Sequence, residues 1–205
     1  SPDGIAVRDD GSLLVVNEGE PMGVFVAKKG QSFDIAHAYS TVGSPFVGPD
    51  DIFLHPNGTV FVSDIQLEAL LKIAPGGGQP TIFVDGQTIG EDRFAPAGIA
   101  IAPAGFAGSN VSPGDLIVAD GGYLRPDRWA VLAINPVTGA TKAIAQGSPF
   151  IESGPMQVDF GPDGRLLVYQ NRDWGTTRIV TLDAAGSVKP FVTGIPDRGG
   201  LAIHP

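Results

Sequence analysis

Five carboxylates stand where two short hairpins would bring strand ends together. Asp3 and Glu18 flank one hairpin; Asp50, Asp51 and Asp64 flank the next. Each hairpin is marked by a turn-forming pair, Asp10-Gly11 or Asn57-Gly58, between apolar stretches that alternate. Treated as a two-residue turn, Asn57-Gly58 sets Asp51 opposite Asp64, and Asp10-Gly11 sets Asp3 opposite Glu18. The same treatment of Asp163-Gly164 sets Gln157 opposite Gln170. Carboxylates that face each other repel unless they are solvated, share a proton or hold a cation between them. Oxygen-only ligands of this kind suit Ca²⁺, Mg²⁺ or Mn²⁺. Asp3, Asp50 and Asp51 are therefore candidate metal ligands, with Glu18 and Asp64 as candidate general bases beside them.

A second polar set repeats. Six residues after each hairpin glycine stand Asn17, Asp64, Asp120 and Gln170, a candidate polar ring at one end of the fold. A competing role for Asp64 and Asp120 is structural, accepting backbone N–H bonds where a strand leaves its sheet. Tyr123, Arg125, Arg172 and Trp174 follow second strands at the same end, as do Arg128, Trp129 and Asp173. Aromatic and arginine side chains on loops are candidate ligand contacts, with packing between blades as the competing role for these residues.

Other chemistries find no support. There is no Gly-x-Ser-x-Gly elbow, His-Glu-x-x-His pair, phosphate-binding loop or dinucleotide fingerprint. His55 and His204 occupy one repeat position at the turn end, away from the carboxylates, and His37 falls further out. With no Cys, thiolate metal sites, disulfides and cysteine nucleophiles are excluded.

The elements that must position these residues are short strands. Gly and Pro total 47 of 205 residues, and 17 of the 22 acids are Asp, so turn-formers abound. Hydrophobic residues still make up 42%, enough for a packed core. A net charge of −9 and the lack of any basic run argue against nucleic-acid or anionic-membrane partners. No apolar run is long enough for a transmembrane helix.

The strands recur. Openings at Pro2, Pro49, Pro96 and Pro155 are spaced by 47, 47 and 59 residues. Each is followed by a strand, a glycine turn, two further strands, a second turn and a fourth strand. A period near 45 with four strands per unit predicts an all-β β-propeller. The blades span about 1–47, 48–93, 94–149 and 150–197 of one domain, and 198–205 begin a fifth. The long interval holds an insertion near Phe106–Pro113. Because Gly200-Leu-Ala-Ile-His-Pro matches the first strand at Asp51-Ile-Phe-Leu-His-Pro, the expectation is a fragment of a larger propeller. Phe46, Phe94 and Phe150 precede blade openings and are expected to pack between blades.

The blade pattern, Pro-x-Gly-Ile-Ala-Val followed by Asp-Gly-x-Leu-x-Val, resembles NHL-repeat propellers and the gluconolactonase and regucalcin-like lactonases. The resemblance implies a propeller of about six blades. In the lactonases a Glu, an Asn and an Asp hold a divalent cation, and Pro2-Asp3-Gly4 is similar to the opening that supplies the Asp. Pro49-Asp50-Asp51 occupies the equivalent place but lacks both the Asn and the Gly. The insertion resembles secreted bacterial propellers, which implies an extracytoplasmic location. Two functions stay open. One is a scaffold binding a small molecule or a protein at its acidic face. The other is a divalent-metal-dependent hydrolase of lactones or related esters.

Overall fold

The structure is a computed structural model that describes residues 2–30, 37–43, 45–90, 94–121, 127–150, 154–171, 177–195 and 201. It divides into two compact units, Ser1–Pro96 and Ala97–Pro205, each carrying two antiparallel blades. The all-β expectation holds: the described residues contain four such sheets and almost no helix.

In the first unit, β1 (Pro2–Val7), β2 (Leu13–Asn17) and β3 (Gly23–Ala27) form blade 1. Ala38 bridges to Phe25 at the outer edge of that blade. Blade 2 is β4 (Pro49–Leu54), β5 (Val60–Asp64), β6 (Ala69–Ile73) and β7 (Thr81–Asp85). In the second unit, blade 3 is β8 (Pro96–Ile101), β9 (Leu116–Asp120), β10 (Ala130–Ile134) and β11 (Thr141–Gln146). Blade 4 is β12 (Gly154–Phe160), β13 (Leu166–Asn171), β14 (Thr177–Leu182) and β15 (Val188–Ile195). Of the expected start of a fifth blade, only Leu201 is described; its backbone N–H donates to Gln157 Oε1 at 2.6 Å.

β-Branched and leucine side chains form these strands because they pack well on a pleated, buried surface. Leu14, Val16 and Val24 of blade 1 meet Ile52, Val62 and Leu71 of blade 2. In the second unit, Ile117, Ala119 and Val131 meet Val158, Val168 and Val180. Each fully buried aliphatic side chain contributes about 1.5–3 kcal/mol, so these interblade cores dominate stability. Phe46 joins the first core and Phe150 the second, and Phe94 is fully buried.

The innermost strands approach so closely that glycine is required. A Cβ on Gly4 would lie 2.8 Å from the Ile52 nitrogen and 2.9 Å from the Asp51 Cα. On Gly98 it would lie 2.6 Å from the Gln157 Cα. The same repeat position therefore does the same job in both units.

The register differs from the two-residue-turn expectation. His55 N–H donates to Thr59 O and Gly58 N–H to His55 O, both at 2.8 Å, so three residues form the loop. Gly58 at φ +85° and Gly11 at φ +76° supply its left-handed position. The pairing becomes Ile52 with Val62 and Ile5 with Val15. A β-bulge then slips the strand starts again, so Pro49 faces Asp64 and Pro2 faces Asn17. Asp51 does not face Asp64, nor Asp3 Glu18. Gln157 pairs with Tyr169, and Pro155 takes the place opposite Gln170.

Close packing makes a testable contrast. Gly98→Ala is expected to destabilise the chain by about 1–3 kcal/mol in urea unfolding, because its methyl meets backbone. Gly105→Ala, with nothing within 4 Å of the added Cβ, is expected to be near neutral.

Candidate functional site

The bulge at each strand start sets two residues against one. Asp50 and Asp51 together oppose Ser63, and Asp3 and Gly4 oppose Val16. Bulges re-aim side chains and interrupt the ladder. Ser63 closes the gap in blade 2 by accepting the Asp51 N–H on its hydroxyl at 3.0 Å. Asp51 Oδ1 accepts the N–H of Ile52 at 2.8 Å, which turns that carboxylate toward the backbone.

Asp64 ends β5 fully buried. Its Oδ2 accepts Val47 N–H at 2.8 Å, and its Oδ1 accepts Gly48 N–H at 2.9 Å and Leu67 N–H at 2.8 Å. Both oxygens are thus held by the chain entering and leaving the strand pair. Asn17, at the equivalent place in blade 1, donates from Nδ2 to Gly19 O at 2.6 Å and to Pro21 O at 2.9 Å. Each residue ties down its local loop with the chemistry it has, acceptor in one case and donor in the other.

Asp50 is the electrostatic centre. Partial burial, then the carboxylates of Asp51, Asp3, Glu18 and Asp64, push its carboxyl up to about 7. These four neighbours all carry the same sign as Asp50. Asp3 is exposed, while Glu18, Asp50 and Asp51 are half-buried. Blades 1 and 2 therefore gather all five sequence-predicted carboxylates of this end into one field. A group titrating at neutrality was not among the roles assigned from the sequence. The crowding of Asp50 depends on the bulge, for which adjacent acids at positions 50 and 51 are the only trace.

The second unit builds its own polar end. Asp120 is 9% exposed at the end of β9, and Gln170 is fully buried. Gln170 Oε1 accepts Arg178 Nε at 2.6 Å, and Arg178 also donates to Pro149 O at 3.3 Å. Arg178 escaped notice in the sequence because nothing in its strand singles it out. Trp129 packs on the core of this unit and lies against Gly154. Tyr123, Arg125, Arg172, Asp173 and Trp174 lie outside the described residues. His55 sits at the hairpin turn, where its Nδ1 accepts the Asn57 N–H at 3.2 Å.

Two substitutions separate structural from electrostatic roles. Asp64→Ala strands three backbone donors, each costing about 1–3 kcal/mol when buried without a partner. A stability loss above about 3 kcal/mol in denaturant unfolding is expected. Asp50→Asn has the opposite sign. The folded chain keeps the Asp50 proton up to about pH 7, whereas the unfolded chain releases it near the ordinary value of 3.8. Raising pH across that window weakens the native state. Asp50→Asn is therefore expected to raise Tm relative to the parent at pH 8 and to leave it unchanged below pH 4.

No protein-family model matches the sequence, and no curated protein does. Solved structures do. Virginiamycin B lyase from Staphylococcus aureus is 18% identical with a TM-score of 0.65, over 93% of this chain and 55% of that one. The calcium-binding protein regucalcin from Agrobacterium tumefaciens strain C58 is 14% identical, TM-score 0.60, over 94% of this chain and 59% of that one. A protein described as a candidate gluconolactonase is 18% identical, TM-score 0.60, over 91% and 61%. The chain thus spans little more than half the length of these structures. They include the lactonase- and regucalcin-like propellers that the blade motifs resemble, and the likeness shows that this chain has the β-propeller fold.

Proposed function

We propose that the chain is a binding scaffold whose carboxylate-rich strand end in blades 1 and 2 captures a cationic group of a small molecule or protein. One observation carries this reading: Asp50 is surrounded by Asp51, Asp3, Glu18 and Asp64, with a carboxyl raised to about 7. A cation entering that field relieves the repulsion and displaces the Asp50 proton. The overall charge of −9 steers positive ligands toward the chain in the same sense.

A divalent cation on Asp3, Asp50 and Asp51 is the narrower form of the reading. The donor chemistry suits it, since only hard oxygen ligands are present. The positions suit it less well. Among the described residues no three His, Asp or Glu side chains converge as a metal-holding group. The regucalcin neighbour, described as calcium-binding, supports cation capture only by likeness of fold.

The hydrolase reading keeps one favourable observation. A carboxyl titrating near neutrality is well matched to general-base work. Asp50 fits that role better than Asp64, whose oxygens are already engaged by three backbone donors. Glu18 remains beside it as the other carboxylate proposed for the task. Hydrolysis of lactones or related esters is the activity this reading would give.

Calorimetric titration with Ca²⁺, Mg²⁺, Mn²⁺ and a tetralysine peptide tests the scaffold reading. Binding at millimolar concentration or better is expected, weakened by Asp50→Asn and by added salt. Failure of all four to bind would overturn it. Turnover of a lactone panel that disappears in Asp50→Asn would favour the hydrolase instead.

A further inference from the structure

Blade 3 differs from the other blades by its insertion, and the insertion builds a cavity. The cavity holds about 200 Å³ at the end of blade 3 opposite Asp120. Its lining includes Ser109, Ser112, Asp115, Asn135 and Lys142 with the apolar Val111 and Ala133. At about 30 Å³ per water, this is room for roughly six or seven waters, or for one small organic molecule.

The insertion that lines it is held before any ligand arrives. Phe106 and Val111 are buried in the core of the second unit, and the Phe106 ring meets Phe160 edge-on at 4.9 Å. Gly108 N–H donates to Val111 O at 3.0 Å, closing the insertion on itself. Asn110 Nδ2 donates to Ala143 O at 2.9 Å, which sews it to the outer strand β11. A preformed cavity of this kind spares a ligand the cost of ordering its site.

The unspent polar groups define what fits. Asn135 Oδ1 accepts the N–H groups of Val137 at 3.1 Å and Thr138 at 3.0 Å, so its amide NH₂ is the group left over. Asp115 commits Oδ2 to Ser112 N–H at 2.8 Å and keeps Oδ1. Lys142 forms no ion pair with Asp115 although both line the same cavity. Two opposite charges lining one small space match a ligand that carries both signs.

We propose that this cavity binds a small zwitterion of the free α-amino acid class. The ligand carboxylate meets the Lys142 ammonium and the Asn135 NH₂. The ligand ammonium meets Asp115 Oδ1, with Ser109 and Ser112 hydroxyls beside it. A short side chain rests on Val111 and Ala133. The site is independent of the carboxylate-rich end of blades 1 and 2.

The test is amide chemical-shift titration of the ¹⁵N-labelled chain with alanine and serine. Alanine amide, which lacks the carboxylate, and N-acetylalanine, which lacks the ammonium, serve as controls. Saturable shifts at Ser112, Asn135 and Lys142 are expected with alanine or serine, weakened at least tenfold for both controls. Lys142→Met, at an exposed position, is expected to cost at least tenfold in affinity with Tm unchanged. Asp115→Asn, which keeps an oxygen for the Ser112 N–H, is expected to do the same. No saturable shift at 50 mM alanine or serine overturns the proposal. So does equal binding of the two controls, or binding untouched by Lys142→Met.

Discussion

Two residues oppose one at the start of the innermost strand of blades 1 and 2, and the acidic end depends on that mismatch. Without the bulge, Asp50 and Asp51 would alternate across the sheet and point away from each other. With it, the pair is displaced together against Ser63, and Asp50 turns into a field set by four other carboxylates. The repulsion is tolerated because the rest of the blade is over-determined. Interblade cores of Val, Leu and Ile supply most of the stability, and the strand end gives up a small part of it.

Asp64 shows how the same end is kept in shape. Its carboxylate is fully buried, a costly position unless hydrogen bonds compensate. Three backbone N–H groups do so, two from the segment entering β4 and one from the turn leaving β5. One side chain thereby fixes both approaches to the bulge that presents Asp50. Asn17 and Gln170 hold their own blades by different partners. The repeat preserves the position and varies the chemistry, which leaves the carboxylate crowd a property of blades 1 and 2.

The fold was legible in the sequence because its signals are redundant. Blade openings, hairpin glycines and alternating strands recur, so an ambiguity in one blade is resolved by the others. Register was not legible. The pairs at Asn57-Gly58 and Asp10-Gly11 are compatible with two- and three-residue loops, and only the hydrogen bond from His55 to Thr59 decides between them. The bulge adds a second slip that no residue type announces. The five carboxylates lie in one electrostatic neighbourhood, while the facing pairs expected within it are displaced. The blade 3 insertion was legible as extra length and as a resemblance, without its cavity. Its cavity comes from long-range contacts such as Asn110 to Ala143 that spacing does not encode.

Capture of a cationic group at the strand end around Asp50 would change the state of the Asp50 carboxyl. Carboxyl-carbon NMR of Asp50 across pH, with and without a saturating cation, tests it most directly. A titration near pH 7 that shifts down when the cation is added is expected. A titration near the ordinary 3.8, indifferent to every cation offered, would contradict it.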